Sequence, residues 1–284
     1  MRHIVSIIIL SFSLCTYSRS NSETTEEFTL LPVITLKTKI AGNPPETRQL
    51  HANQIQYFSE KNNEVKLKLV SRSIEQNKTT YRLSVKAKKA VNFNVGMHFL
   101  LENMPHETLD FLLPGLWYKR NLNISEGAPS MRVSDDWMFR EDRLSTPMVA
   151  AYNPISDEYY VLMHTNEIKK DFLLPYDNGE VIMYGKSDLG SMGFGKINKD
   201  TYMAVTYPVT EYPKAYTRKL QLTNPITVFR HLEKGEELIL TYVMLKGKSG
   251  SYSDFVREIS QYAYDTSNPK PINTTYKPQE VKQH

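Results

Sequence analysis

Residues 64–70 read EVKLKLV and residues 81–87 read YRLSVKA, with apolar side chains at every second position: Val65, Leu67 and Leu69, then Tyr81, Leu83 and Val85. A period of two places one set of side chains on one face of an extended chain, which is the pattern of a strand with one face buried and the other in water. Working outward, similar short runs recur as VNFNVGMHF (91–99), YYVLMH (159–164), Glu180 to Tyr184, Thr201 to Tyr207, Ile226 to Leu232 and EELILTYVML (236–245). In the last of these Leu238, Leu240, Tyr242 and Met244 share one face, and their β-branched and aromatic neighbours favour strand over helix. Asn62-Asn63, Asp177-Asn178-Gly179, Asn198-Lys199-Asp200 and Glu233-Lys234-Gly235 each separate two such runs by a few turn-forming residues, as antiparallel neighbours require. No glycine-rich phosphate loop follows any run, no helices alternate with them and no fixed-period repeat exists, which excludes a parallel α/β sheet and argues against a propeller. The expected fold is all-β, a large antiparallel β-sandwich over residues 28–246.

The pattern changes after Lys246. Gly247, Ser249, Gly250 and Ser251 form a flexible turn, and SYSDFVREISQYAYD then carries Phe255, Val256, Ile259, Tyr262 and Ala263 at helical spacing. One amphipathic helix is expected over 247–267, capped by Ser251 with Asp254 or by Ser253 alone, and stopped by Asn268-Pro269. Residues 268–284 are polar without a packing pattern and read as a disordered tail or a truncated linker.

At the other end, Arg2 and His3 precede an apolar run from Ile4 to Leu14, followed by small and polar residues. This is the layout of a secretory signal peptide over 1–20, with a Ser/Thr/Glu tether over 21–27. The run has roughly half the length a membrane-spanning helix needs. The chain is therefore expected to be secreted or periplasmic, and Cys15, directly after the apolar run, is a candidate lipidation site for an outer-membrane or cell-surface lipoprotein. Cys15 is the single cysteine, so cleavage beyond it leaves no disulfide, thiol nucleophile or thiolate metal site. The 284 residues are 40% hydrophobic and 23% charged, with a net charge of +4 spread without any run of five basic residues. That balance fits a globular protein and carries no nucleic-acid footprint. Asn77-Lys-Thr, Asn123-Ile-Ser and Asn273-Thr-Thr match the glycosylation sequon.

Unusual chemistry is concentrated between Asp110 and Asn153, where strands are hard to place and both tryptophans lie among Arg120, Arg132, Asp135, Asp136, Arg140, Glu141, Asp142 and Arg143. Long irregular segments in compact β domains are usually functional or disordered, and Trp117, Tyr118, Trp137 and Phe139 favour an ordered loop with aromatic anchors. Aromatic faces beside carboxylates and guanidinium groups suit a carbohydrate: a ring stacks on the apolar face of a sugar, and charged groups bind its hydroxyls or acids. Arginine matters most where the sugar is a uronic acid. The competing reading makes Arg140, Glu141, Asp142 and Arg143 an ion-paired network that pins the loop, with Trp137 in the core. Asp135, Asp136, Glu141 and Asp142 are the candidate general acid and base if the chain cleaves glycosides; Asp135 and Asp136 would point to opposite faces of a strand, so a working pair would combine one of them with Glu141 or Asp142. The seven histidines, His3, His51, His98, His106, His164, His231 and His284, show no metal-ligand spacing, no GxSxG elbow surrounds any serine, and no cofactor is implied. Gly190-Ser-Met-Gly193-Phe-Gly195 precedes no helix and reads as a turn or bulge.

FLLPGLWYKRN, DDWMFREDRLSTPMVAAYN, the closing strand ELILTYVML and the helix YSDFVREISQYAYD together resemble the amino-terminal β-supersandwich domain of secreted bacterial (α/α)-toroid glycoside hydrolases or polysaccharide lyases. The resemblance spans about 220 residues by architecture, and its specific part is the loop of about 45 residues. It implies a poly- or oligosaccharide partner, and a catalytic toroid that is missing or carried on a separate chain. It also implies that Trp117, Tyr118 and Trp137 stack on sugar, with Arg120, Asp136, Arg140 and Arg143 as polar contacts. Three functions follow as expectations: an exported glycan-binding or accessory sandwich that is non-catalytic alone, a glycoside hydrolase or polysaccharide lyase acting on acidic glycans, or a structural surface protein.

Overall fold

The structure, a computed structural model, describes residues 29–40, 42–51, 57–61, 64–75, 77–122, 128–165, 181–184, 187–216 and 222–268. The expected leader, tether and Cys15, the chain beyond Asn268, the sequons at Asn123 and Asn273 and the turns at Asn62-Asn63 and Asp177–Gly179 lie outside the described residues.

The strands run β1 (Val33–Lys39), β2 (Glu46–His51), β3 (Tyr57–Lys61), β4 (Val65–Glu75), β5 (Lys78–Ala87), β6 (Val91–Pro105), β7 (Asp110–Leu113), β8 (Trp117–Lys119), β9 (Trp137–Arg140), β10 (Met148–Tyr152), β11 (Glu158–His164), β12 (Val181–Met183), β13 (Ser191–Ile197), β14 (Asp200–Tyr207), β15 (Thr210–Glu211), β16 (Ala215–Tyr216), β17 (Leu222–Thr223), β18 (Ile226–Leu232) and β19 (Glu237–Lys248), and helix α1 (Tyr252–Ser267) closes the described chain. One sheet is ordered β12-β18-β6-β14-β13-β9, with β1 pairing β6 and β2, and β15 pairing β18. The other is ordered β3-β4-β5-β19-β11-β10-β7-β8. Pairings are antiparallel except β12 with β18. The expected all-β sandwich is therefore present, with its core where the alternation put it. Leu67, Leu69, Tyr81, Leu83, Val85, Leu240, Tyr242 and Met244 of one sheet pack against Ile34, Phe93, Val95, Met97, Phe99 and Val205 of the other. Such alternation buries one face of each sheet in a shared apolar core.

A second apolar layer lies on the outer side of the eight-stranded sheet. Phe255, Ile259 and Ala263 of α1 cover Leu112, Met148, Ala150, Val161, Met163, Val243 and Leu245. Ser251 caps the helix by accepting the Asp254 N–H at 3.1 Å, and Asn268 ends it at a positive φ of 40°. Of the two caps left open by the sequence, Ser251 is the one used.

Two local expectations fail. Glu233–Gly235 is not a hairpin turn: β18 belongs to one sheet and β19 to the other, so the turn carries the chain across the sandwich. Asn198–Asp200, by contrast, does close a hairpin, between β13 and β14. Gly190–Gly195 is not a turn or bulge either, because from Ser191 it forms strand β13. The glycines answer to crowding: a Cβ on Gly193 would collide with the backbone carbonyl of Trp137, and one on Gly195 with the Asp136 carboxylate and the Tyr202 phenol.

Candidate functional site

The stretch from Asp110 to Asn153 is not one irregular loop. It contains β7, β8, β9 and β10; short links join β7 to β8 and β9 to β10, and residues 120–136 separate β8 from β9. Charged residues at the links hid strands too short to show a period. Both indoles lie in the core at 0% exposure. Trp137 stacks on Phe139 with ring centroids 5.4 Å apart, and Trp117 meets Phe194 edge-on at 5.0 Å. Each indole N–H is satisfied locally, Trp117 donating to the Lys119 carbonyl and Trp137 to the Ser134 carbonyl, both at 2.8 Å. Neither ring offers a face to a sugar, which corrects the stacking role expected of Trp117 and Trp137. Tyr118 is the aromatic residue of the three that is exposed, at 51%.

The charged residues are held apart by different partners. Arg140 forks the Asp142 carboxylate at 2.9 and 2.5 Å at the surface. Arg143 reaches across to Glu211 on β15 at 2.9 Å. Burial pushes the Glu211 carboxyl above its ordinary value, against the pull of Arg143 and Arg140. Glu141 is buried, and its carboxylate faces His164 Nδ1 at 2.9 Å while accepting the Gly190 N–H at 3.1 Å. Because Gly190 leads into β13 of one sheet and His164 ends β11 of the other, Glu141 staples the two sheets together. Asp136 lies just ahead of β9, not within a strand; its Oδ1 accepts the Lys196 N–H at 2.8 Å and the Tyr202 hydroxyl at 3.2 Å. Asp135 stands 3.8 Å from the Lys196 ammonium, which also pairs with Glu107, and the Arg120 guanidinium donates to the Glu107 carbonyl. The sequence-derived acid/base candidates therefore divide between a buried inter-sheet staple (Glu141), a surface ion pair (Asp142) and a lysine-centred cluster (Asp135 and Asp136). The pinning function of the loop is real for Glu141, which ties it to His164 and Gly190, and for Arg143, which ties it to Glu211, while Arg140 and Asp142 pair with each other.

A cleft of about 530 Å³ opens elsewhere, at the end of the sandwich where β1 finishes and β6 begins. Lys39, Glu46, Glu64, Lys89, Asn92 and His231 contribute its polar lining. Antiparallel pairing of β18 with β6 sets His231 directly opposite Asn92. The Asn92 amide donates to the Lys39 carbonyl at 3.0 Å and turns its oxygen to His231 Nδ1 at 2.8 Å, while His231 Nε2 faces Glu233 at 3.1 Å. The imidazole is thus fixed from both sides. Tyr184, 69% exposed, lies against it with ring centroids 4.9 Å apart. Glu64 pairs with Lys89 at 3.4 Å across the lining. Sequence reading named His231 only as a histidine without ligand spacing. Asn92 and His231 are 139 residues apart and meet only through strand order, so no local pattern could join them. Among the described residues no group of three His, Cys, Asp or Glu side chains is placed to hold a metal ion.

No family model matches the chain, and no curated protein matches it in sequence. Solved structures that superpose on it include a polysaccharide lyase (12% identity, 82% of this chain and 27% of that one, TM-score 0.36). A GH36 α-galactosidase from Geobacillus stearothermophilus superposes at 15% identity over 78% of this chain and 28% of that one, with a TM-score of 0.37. A galactose mutarotase-like protein from Clostridium acetobutylicum does so at 10% identity over 78% and 79% of the two chains, with a TM-score of 0.38. The chain spans about a quarter of the length of the lyase and the galactosidase.

Proposed function

We propose that the protein is an exported carbohydrate-binding or accessory β-sandwich of a glycan-degrading system, non-catalytic by itself, and that its sugar site is the end cleft. The observation that carries this reading is the Asn92–His231 pair that lines a cleft of about 530 Å³, with the exposed Tyr184 ring lying against His231 beside that lining. A volume of that order holds a small ligand. A sugar ring presents C–H groups on its faces and hydroxyls, each both donor and acceptor, around its edge. The exposed Tyr184 ring supplies an apolar platform for the first, and Lys39, Glu64, Lys89 and Asn92 supply alternating donors and acceptors for the second. The carboxylates that the sequence offered as acid and base are engaged in structural contacts, which favours binding over cleavage.

The test is an equilibrium titration of the purified chain with a panel of neutral and acidic oligosaccharides, with release of reducing ends followed in the same samples. Saturable binding that weakens tenfold or more in Tyr184→Ala and His231→Ala, persists in Tyr118→Ala and yields no product supports the proposal. Binding indifferent to both cleft substitutions, or none to any sugar, contradicts the site, and product release contradicts the non-catalytic reading.

A further inference from the structure

The outer side of the eight-stranded sheet has two halves, and α1 covers one of them. Among the described residues, no helix or further strand packs on the other half, built by β4, β5 and the start of β19. Register places its outward side chains in rows across the strands: Lys66, Lys86 and Glu237; then Lys68, Ser84 and Ile239; then Val70, Arg82 and Thr241; then Arg72 and Thr80. A shallow groove of about 300 Å³ lies along the middle of this surface between Lys68 and Arg82 on one side and Ser84 and Glu237 on the other. Among the described residues, the side chains of Lys66, Arg72, Arg82 and Lys86 form no hydrogen bond and no ion pair. Glu237, the acid within the rows, is engaged by the Ser84 hydroxyl at 2.5 Å. Lys78 continues the basic side chains to the edge of the helix, where its ammonium lies over the Tyr262 ring and pairs with Glu75.

Two features of this face go beyond ordinary solvated charge. Lys66 and Lys86 stand directly opposite each other across a strand pair, and Glu237, opposite Lys86 on its other side, is engaged by the Ser84 hydroxyl and forms no ion pair with either. The cations also stand on one face of neighbouring strands, Lys66 and Lys68 about 7 Å apart along β4 and Arg82 and Lys86 about 13 Å apart along β5, so they face one direction from a rigid support. We propose that this face is a second binding surface, independent of the end cleft, and that its ligand is an acidic polysaccharide: a chain whose carboxylate or sulfate groups meet Lys66, Arg82, Lys86 and Arg72 and whose hydroxyls meet Ser84, Thr80, Thr241 and Glu237. Charge complementarity calls for a polyanion, and the hydroxyl-bearing residues between the cations select a hydroxyl-rich one. Ser84, Thr80 and Thr241 between the cations suit a hydroxyl-rich chain, and Val70 and Ile239, both half-buried, leave little apolar surface to insert into a bilayer.

The experiment compares retention of the full chain on immobilised polygalacturonate, on neutral dextran, on single-stranded DNA and on vesicles of phosphatidylserine and phosphatidylcholine. It includes the triple variant Lys66→Gln/Arg82→Gln/Lys86→Gln, a control triple variant Lys199→Gln/Lys214→Gln/Lys234→Gln and the cleft variant His231→Ala. The expected result is salt-sensitive binding to polygalacturonate that falls tenfold or more in the face variant alone, with the control and cleft variants unchanged. The single variant Arg82→Gln, expected to lose several-fold, repeats the comparison should the triple variant fold poorly. No binding to polygalacturonate, an equal loss in the control variant, or equal or tighter binding to DNA or vesicles would overturn the proposal. Loss in the cleft variant instead would assign the acidic chain to the cleft and overturn the second surface while leaving the cleft reading intact.

Discussion

Glu141 shows why a charged residue in an aromatic-rich stretch need not be catalytic. Its carboxylate is buried between the sheets and collects two donors, His164 Nδ1 and the Gly190 N–H, that would otherwise lack an acceptor. Removing it leaves buried polar groups unsatisfied, so Glu141→Ala should lower unfolding stability by about 3 kcal/mol, read from chemical denaturation. His106 and His98 give the chain an acid limb. Burial lowers the imidazole pKa of both below the ordinary 6.5. The unfolded chain then takes up protons before the folded one, so stability is full above about pH 6.5 and declines as the pH falls below it. His106 packs beside the stacked rings of Phe111 and Phe194, with ring centroids 5.2 and 6.1 Å away, so His106→Phe keeps the aromatic contacts and should shrink the loss of thermal midpoint below pH 6.5. Buried Glu211 acts in the opposite sense: its raised pKa means that its stabilising contribution is lost as the pH rises from 4.5 through the folded value. A His106→Phe variant with the same acid limb as the parent would show that the histidine does not set it. At this scale the sequence was readable in kind but not in place. Trp137 carries every mark of a sugar platform in its charged neighbourhood, and only the packing of β9 against β13 shows that the indole points inward.

Among the elements, length alone did not decide legibility. β18 starts and ends where the alternation put it, β5, β14 and β19 were found to within three residues and β4 to within five through their period, and three-residue β12 lies inside the expected run from Glu180 to Tyr184, whereas seven-residue β1 was not expected. β7, β8 and β9 have four, three and four residues, which is too few to show a period. β13 was hidden for another reason, since glycine at 193 and 195 leaves no side chain to alternate, and the need for glycine comes from the neighbouring strand. Helix α1 was legible because its apolar positions recur at helical spacing, and its contribution is local. Phe255 is fully buried beneath it and stacks on Tyr152 at 5.4 Å. Phe255→Ala should cost about 3–5 kcal/mol. Native-state hydrogen exchange would then show amides of α1 opening more readily, while those of the central strands β5 and β6 keep their ranking. Uniform loss of protection across both sheets would contradict a helix that packs on the sandwich as an outer layer.

For the whole molecule, the architecture follows from alternation, but the site does not. The end cleft joins Lys39 of β1, Asn92 of β6 and His231 of β18, three strands far apart in sequence that strand order makes neighbours. No spacing rule could bring them together, just as none could show that Glu233–Gly235 crosses between sheets. The sandwich therefore presents three distinct surfaces: a pinned and packed segment from Asp110 to Asn153, an open cationic sheet face, and an end cleft whose His231 carries an exposed aromatic ring beside it. The most direct measurement of the central claim is a map of backbone amide shifts in the labelled protein during titration with the tightest-binding oligosaccharide of the panel. The account predicts that the shifts cluster at Lys39, Asn92, Tyr184 and His231. Shifts confined to the surroundings of Tyr118 and Arg120, or none at saturating sugar, would contradict it.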